Sequence, residues 1–352
     1  MKNVYSEVEE LVNKWTLKNI ELPVEFQKYD NPLFFKLLNS SLMKRHTRKQ
    51  LILPNFADTE TVVICSDYGG EAKGSKYYTY SFVFAAYDGL GFFSDRMIDI
   101  RKKYGLDNPQ KEISFKDAHY GQMFRCIDEY LTVANNMING LVFTLAVEKD
   151  IVSLLDKDDK KTLKHTTEQL LGYSYGKWKP AIFEKNMRII YTLTYFIKLL
   201  IPTGKKIFWM TDEDAIMANE SKIDDTTRII SNIINLFKNA PKYQSMGFTP
   251  KPYYEDELYF LTDILSIANL SAGSIEQLLT RQAEGNGELS PLAEQVIKWS
   301  SVQGVGLDKL IFVINKQNGI FSGNFLDIEC PEYPKNGTYV DYVYDVSVNR
   351  KV

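Results

Sequence analysis

Four short apolar runs, separated by helical patterns, constrain the fold of this chain most strongly. The runs are rich in β-branched and aromatic residues and cover residues 61–67 (TVVICSD), 77–87 (YYTYSFVFAAY), 141–147 (LVFTLAV) and 206–212 (KIFWMTD). Continuous apolar runs of this length are typical of buried strands. Helical spacing of apolar residues predicts helices over residues 117–137, 180–200, 225–238 and 257–279. We therefore predict an α/β fold with a mixed sheet flanked by helices.

Turn residues suggest how the strands connect. The glycine-rich residues 68–76 predict a turn that makes the first two strands antiparallel partners, and residues 89–93 are interpreted as the start of a third strand. A turn at residues 317–319 (Gln-Asn-Gly) predicts a C-terminal β-hairpin between residues 310–314 and 321–328. A break near Gly273 is expected in the helix over residues 257–279.

The domain organisation follows from the same patterns. Residues 1–58 contain three prolines between helical stretches and are interpreted as an N-terminal helical extension. Residues 59–352 are interpreted as one α/β domain with helical insertions and the C-terminal hairpin.

Composition bounds the partners and the compartment. The chain has 352 residues and a formal net charge of -3, so the whole molecule lacks the basic field of a nucleic-acid coat protein. Its three cysteines are far apart, which argues against a disulfide framework or a zinc site and favours a cytoplasmic protein. Residues 1–15 resemble an amphipathic helix and not a signal peptide, and residues 189–201 are too short and polar to span a bilayer. No membrane partner is expected, and the oligomeric state stays open.

Three aspartates stand out as a candidate site. Asp67 and Asp212 each end an apolar strand, and functional groups collect at the carboxyl ends of strands in α/β sheets. Asp263 lies within an apolar helical stretch (LYFLTDIL). A buried carboxylate must be paired, hydrogen-bonded or bound to a metal, because its desolvation is costly. The alternatives are turn or N-cap roles for the strand aspartates and simple exposure for Asp263.

Converging carboxylates are the ligand set of two-metal hydrolysis. Mg²⁺ and Mn²⁺ prefer oxygen ligands, and two such ions activate water and stabilise the leaving oxygen in phosphodiester cleavage. A fourth carboxylate is then expected. Glu112 is the first choice, Glu148 and Asp150 after the strand over residues 141–147 are rivals, and Glu213 is a third option. Each of these four is otherwise a surface charge.

Short motifs around these residues resemble the ribonuclease H-like superfamily, and within it a bacterial family of unknown function. That family has a strand ending in Asp-Glu-Ser-Gly, a Glu-x-Lys element, a later strand ending in Asp, and a helix of the form Leu-x-x-Ala-Asp. The similar positions here are residues 65–70, Glu112 with Lys116, residues 209–212 and residues 260–268, so the resemblance covers about residues 60–275.

The chain departs from the family pattern at several positions. Tyr68-Gly69 replaces Glu-Ser, Thr262 replaces Ala, and the Glu-x-Lys spacing is stretched. The resemblance implies a ribonuclease H-like fold and metal-dependent cleavage of nucleic acid, in settings such as phage defence or mobile elements.

Basic residues are candidates for phosphate binding. Lys44 and Arg48 share one helical face, as do Arg45 and Lys49, and each neutralised phosphate adds salt-dependent affinity. Lys116 is placed to orient a phosphate beside Glu112. A solvated basic helix and a plain surface lysine are the alternatives.

Two main functional hypotheses follow. In the first, the protein is a metal-dependent nuclease with Mg²⁺ or Mn²⁺ on Asp67, Asp212, Asp263 and either Glu112 or Glu148. In the second, it is a catalytically weak or inactive interaction subunit of a larger complex, and Asp263 pairs with a lysine or arginine. A metal hydrolase acting on a small phosphoester is a weaker third alternative.

Overall fold

The computed structural model describes residues 4–106, 108, 111–154, 161–212, 214–250, 259–285, 287–302, 304–329 and 343–345. The helices are α1 (Val4–Trp15), α2 (Leu33–Thr47), α3 (Gly91–Tyr104), α4 (Gly121–Met137), α5 (Leu163–Leu171), α6 (Pro180–Leu200), α7 (Glu220–Leu236), α8 (Tyr259–Ala283) and α9 (Pro291–Ser301). The strands are β1 (Thr61–Gly69), β2 (Tyr77–Ala86), β3 (Gly140–Glu148), β4 (Lys206–Thr211), β5 (Ser245–Pro250), β6 (Leu307–Gln317), β7 (Ile320–Phe325), β8 (Asp327–Glu329) and β9 (Val343–Asp345).

Seven strands of the described chain form one mixed sheet in the order β5-β4-β1-β2-β3-β6-β7. Strand β2 is antiparallel to both β1 and β3, and β7 is antiparallel to β6. The β1–β4, β4–β5 and β3–β6 pairs are parallel. The prediction of an α/β fold with a mixed sheet flanked by helices is therefore confirmed. Strands β1, β3, β4, β5 and β6 all run in one direction, so their carboxyl ends lie at the same edge.

Helices cover both faces of the sheet, and strand alternation divides the side chains between them. On one face, Val62 and Ile64 of β1 join a core built with α2, α6 and α7. On the other face, Val63 and Cys65 join a core built with α3, α4, α8 and α9. Odd-numbered residues of β1 therefore face α8, and this parity places Asp67 on the α8 face.

Two local predictions were wrong. Residues 89–93 do not open a strand; they contain the end of a short 3-10 helix and the start of α3. Phe93, Met97 and Ile100 recur at helical spacing and are buried, which explains why tertiary packing selects a helix there. Helix α8 continues without a break through Gly273, where an added Cβ would lie 2.5 Å from the ring of Phe115. That glycine therefore allows close packing.

Helix α2 and the β6–β7 hairpin belong to the body of the fold. Buried residues of α2, among them Phe35 and Leu38, belong to the same core as β1, so the N-terminal segment packs against the sheet. The C-terminal hairpin of β6 and β7 turns at Asn318 and Gly319, which both have positive φ, as a tight hairpin turn requires. No helix among the described residues is long and apolar enough to cross a membrane.

Candidate carboxylate site

Asp67 and Asp212 lie side by side at the carboxyl ends of two parallel strands. The register pairs Ser66 of β1 with Thr211 of β4, and the backbone N–H of Asp212 donates to the carbonyl oxygen of Ser66 at 3.0 Å. Asp67 follows Ser66 in β1 and Asp212 follows Thr211, the last residue of β4, and adjacent strands are about 4.8 Å apart. Met210 faces α8, so alternation places Asp212 on the same face as Asp67.

Burial and neighbouring negative charges hold Asp67 in an unusual state. Its side chain is almost inaccessible, with 4% exposure. Desolvation raises the pKa of Asp67 most, the charges of Asp212 and Glu112 raise it further, and the result is about 8. Hydrogen bonds from the Asn269 side chain and the Tyr68 backbone oppose this shift. The carboxyl group is therefore protonated at neutral pH unless a cation lies beside it.

Helix α8 positions Glu112 by binding the segment that carries it. The backbone N–H of Ile113 donates to Ser266 Oγ at 3.1 Å, and that of Phe115 donates to Asn269 Oδ1 at 2.6 Å. Glu112 itself is half-buried, and its Oε1 atom is shielded from water. Of the candidates for the fourth carboxylate, Glu112 is thus one whose charge acts on Asp67.

Asn269 completes the surroundings of Asp67, and sequence reasoning missed it. Its Nδ2 donates to Asp67 Oδ2 at 3.0 Å while its Oδ1 accepts from the Phe115 backbone. A signal was present in the sequence. Residues 265–269 (LSIAN) match the Leu-x-x-Ala-Asp pattern with Asn in the last position, six residues after Asp263. In this register, the motif places Asn269 at its last position, and Asn269 is the helix residue that contacts Asp67.

Asp263 is placed elsewhere, in a buried ion pair. Arg101 Nε of α3 donates to Asp263 Oδ1 at 3.0 Å, and Arg101 Nη2 donates to the same oxygen. Both side chains are under 10% exposed. Burial raises the pKa of Asp263, and the charge of Arg101 lowers it. The expectation that this carboxylate needs a partner holds, but the partner is an arginine, so its role as a metal ligand has no support in the geometry.

The same arginine connects Asp263 to the segment that carries Glu112. Arg101 Nη1 donates to the carbonyl oxygens of Lys111 at 3.1 Å and Asn108 at 3.3 Å. Asp263 therefore orients Arg101, and Arg101 holds the backbone just before Glu112. Asp263 therefore acts on the site only indirectly, by positioning Arg101.

Glycine at position 69 lets α8 approach the strand that carries Asp67. An added Cβ at Gly69 would lie 2.6 Å from Thr79 Oγ1 and 3.4 Å from the Ala272 carbonyl oxygen of α8. Tyr68 points to the opposite face, where its hydroxyl lies 2.8 Å from Thr211 Oγ1 and 2.9 Å from Ser66 Oγ. The Tyr68-Gly69 departure from the family pattern is thus compatible with close packing around Asp67.

Glu148 lies away from Asp67. The register pairs Asp67 with Ser81, Ser81 with Thr144, and Tyr77 with Glu148, so Glu148 is two strands across and four residues further along. Standard strand spacings give a separation of about 16 Å. Glu148 Oε2 accepts from the Lys316 backbone at 2.8 Å. Asp150 is exposed, and Glu213 lies outside the described residues.

The basic residues divide into exposed and buried ones. Arg45 is buried, pairs with Asp327 and stacks over the ring of Phe325, so it holds α2 against the hairpin and is not available to phosphates. Lys44, Arg48 and Lys49 are exposed.

The exposed members do not surround the carboxylates. Helix α2 packs on the sheet face opposite Asp67. It contacts β7, which lies four strands from β1 in the sheet. Lys116 is exposed on the turn that follows Glu112.

Metal-binding chemistry is present in part. Within the described ranges, no group of three or more His, Cys, Asp or Glu side chains is arranged to hold a metal ion. The donors around Asp67 are oxygen atoms, which suit a hard cation. Burial and the neighbouring carboxylates raise the pKa of Asp67. A cation bound beside Asp67 would lower this pKa and offset the negative charge. The chemistry of the donors is therefore compatible with a hard cation.

No protein-family model matches this chain, and no curated protein matches it either.

Proposed function

We propose that this protein is a metal-dependent, nuclease-like hydrolase of ribonuclease H-like fold that cleaves phosphodiester bonds in nucleic acid. The observation that carries the proposal is the pair of Asp67 and Asp212 at neighbouring parallel strands, with the charge of Glu112 acting on Asp67. The antiparallel β1–β2–β3 strands followed by parallel β4 support the fold proposal. The position at the carboxyl ends of strands is one where α/β proteins place functional groups.

Asp67 and Asp212 would hold a Mg²⁺ or Mn²⁺ ion, and the negative charge of Glu112 would add to the attraction for the ion. Such an ion, when bound, activates water and stabilises negative charge on a phosphate oxygen. The residues of the chain prepare this site. Asn269 fixes the Asp67 carboxyl group, and Arg101 holds the backbone before Glu112. Lys116 is exposed on the same segment and would contact a substrate phosphate.

Metal binding should depend on pH in a defined way. Because the pKa of Asp67 is about 8, an ion must displace its proton at lower pH. We expect the apparent affinity for Mn²⁺ to rise about tenfold per pH unit up to pH 8 and then level off. Isothermal titration between pH 6 and pH 9 measures this, with buffers of different ionisation enthalpy counting the released proton. An affinity that is flat over this range would contradict the proposed role of Asp67.

Asn269→Asp should strengthen metal binding and lower the stability of the metal-free protein. The change replaces the amide that donates to Asp67 by another negative charge in a buried place. We expect the metal-free variant to melt at lower temperature and Mn²⁺ to restore more stability to it than to the wild type, with affinity at least about tenfold tighter. Differential scanning fluorimetry with and without Mn²⁺ reports both effects. Asn269→Ala is the control, since it loses the hydrogen bond without gaining a ligand.

Specific observations favour a second candidate, a non-catalytic interaction subunit. Asn269 stands where the Leu-x-x-Ala-Asp pattern has an aspartate. Both polar atoms of its side-chain amide form hydrogen bonds with protein groups. Asp263 pairs with Arg101, as that hypothesis expected. Under this candidate, Asp67 is a protonated structural residue and Asn269→Asp only destabilises. Incubating the protein with labelled single-stranded DNA, RNA and hybrid plus Mg²⁺ or Mn²⁺ separates the two, because only the first candidate predicts cleavage.

A further inference from the structure

A cavity lies at the same edge of the sheet as Asp67. It has a volume of about 350 Å³ and lies between the last turns of α8, the start of β2, the end of β3, and the hairpin of β6 and β7. Polar side chains dominate one part of its wall, and we call this cavity the amide pocket. They are Tyr77, Glu148, Gln282, Asn315, Gln317 and Asn324. The remaining lining residues are apolar: Leu279, Ala283, Val313, Phe325 and Leu326.

Two hydrogen bonds fix the inner polar groups. The hydroxyl of Tyr77 donates to Asn315 Oδ1 at 2.8 Å, and the backbone N–H of Lys316 donates to Glu148 Oε2 at 2.8 Å. Tyr77 is buried, while Asn315 and Glu148 are half-buried. Gln317 and Asn324 are exposed at the rim. The pocket therefore has an ordered interior and a solvated mouth, as binding sites for small molecules commonly have.

The chemistry of this wall suits a nucleobase. Carboxamide side chains offer a donor and an acceptor together, and these pair with the edges of bases. A carboxylate only accepts hydrogen bonds, so Glu148 favours a base with an exocyclic amino group. The apolar part of the wall, which includes Leu279, Val313 and Leu326, suits the flat faces of a base. A volume of about 350 Å³ is within the range of small-ligand sites.

We propose that the amide pocket binds a nucleobase carrying an exocyclic amino group. The position supports this, because Glu148 lies about 16 Å from Asp67 by strand spacing, along the edge where the carboxyl ends of β1 and β3 meet. A strand of nucleic acid held at the carboxylates would reach the pocket. The proposal goes beyond the proposed function, since base binding needs no metal and stands without cleavage.

Titration calorimetry with adenosine, cytidine and uridine, in the absence of divalent metal, tests the proposal. Adenosine or cytidine should bind about tenfold more tightly than uridine, because uridine has no exocyclic amino group to donate to Glu148. Glu148→Gln should reduce this preference to less than about threefold, since an amide accepts and donates. Ala283→Phe should abolish binding by filling the pocket from an exposed helix position, while Glu284→Phe, outside the pocket, should leave binding unchanged.

The outcomes distinguish base binding from cleavage, and a base within a strand from a free nucleoside. Asp67→Asn should bind nucleosides like the wild type, so loss of cleavage and loss of base binding are independent results. Displacement of the nucleoside by a single-stranded hexanucleotide identifies a base within a strand, and failure of displacement identifies a free nucleoside. The proposal is overturned if no nucleoside binds saturably, if uridine binds equally well, or if Ala283→Phe binds like Glu284→Phe. Thermal melting confirms that each variant is folded.

Discussion

Asp67→Asn should abolish metal-dependent cleavage without unfolding the protein. Loss of groups that merely orient a ligand typically costs 10- to 100-fold in metal affinity or activity, so loss of a direct ligand should cost more than about 100-fold. The fold should survive because the Asp67 carboxyl group is protonated at neutral pH in the metal-free protein and an amide has nearly its shape. Cleavage rates on labelled single-stranded nucleic acid with Mg²⁺ or Mn²⁺ measure the effect.

Asp308→Asn is the matched control for this substitution. Asp308 lies near the start of β6, at the opposite edge of the sheet, and burial raises its pKa to about 7. Both variants thus remove a carboxyl group whose pKa is raised by burial, but only Asp67 lies at the site. Equal cleavage by both variants and the wild type would contradict the role of Asp67, as would equal loss in both.

The same variant should change how stability depends on pH. The pKa of Asp67 is about 8 in the folded state and about 4 in the unfolded state, so between these values the folded protein binds the extra proton. Stability of the metal-free wild type should therefore fall as pH rises from about 4 to about 8, by up to roughly 5 kcal/mol. Asp67→Asn removes this contribution. Urea titrations of both proteins at pH 5 and pH 8 compare the slopes.

Arg101→Met should destabilise the protein by about 3–5 kcal/mol. The substitution leaves Asp263 buried at 2% exposure without its cation and removes the donors to the Lys111 and Asn108 carbonyl oxygens. It should also weaken Mn²⁺ binding, because the backbone before Glu112 loses its support. The free energy of unfolding in urea measures the first effect, and calorimetry measures the second.

An exposed arginine on the same helix provides the control. Arg96 pairs with Asp99 at 3.2 Å, but both side chains are about half exposed, so Arg96→Met should cost less than about 1 kcal/mol. The double variant Arg101→Met with Asp263→Leu should recover part of the loss, since it removes both buried charges. A cost for Arg101→Met no greater than that for Arg96→Met would mean that the ion pair is not structurally important.

The sheet was largely predictable from the sequence. Residues 61–67, 77–87, 141–147 and 206–212 were predicted as strands, and β1, β2, β3 and β4 have nearly those bounds. Helix α6 begins at Pro180 and ends at Leu200, as its pattern indicates. These segments are predictable because both strand faces are buried and the helix is largely buried. Strand β5 escaped prediction because it is an edge strand with exposed, mixed side chains.

The site was predictable only where it depends on strand ends. Asp67 and Asp212 follow apolar runs, and parallel pairing brings them together. The partner of Asp263 was not predictable, because Arg101 lies 162 positions earlier in a helix that was interpreted in part as a strand. Asn269 was missed because a neutral amide has no desolvation cost large enough to attract attention in an apolar helix.

Position across the sheet explains the remaining differences. Glu148 follows an apolar strand just as Asp67 does, but the strand order separates the two by two strands. The spacing of Arg45 and Lys49 indicates a shared helical face, yet Arg45 is turned inward to Asp327 by the packing of α2 on β7. Such long-range register and docking are not encoded in a local pattern.

Calorimetric titration of Mn²⁺ at pH 8.5, on wild type and on the Asp67→Asn and Asp308→Asn variants, tests the central claim most directly. We expect about one ion per chain for wild type and Asp308→Asn, with affinity for Asp67→Asn weaker by more than about 100-fold. Absence of Mn²⁺ binding to the wild type, or equal binding by Asp67→Asn, would contradict a cation site at these carboxylates.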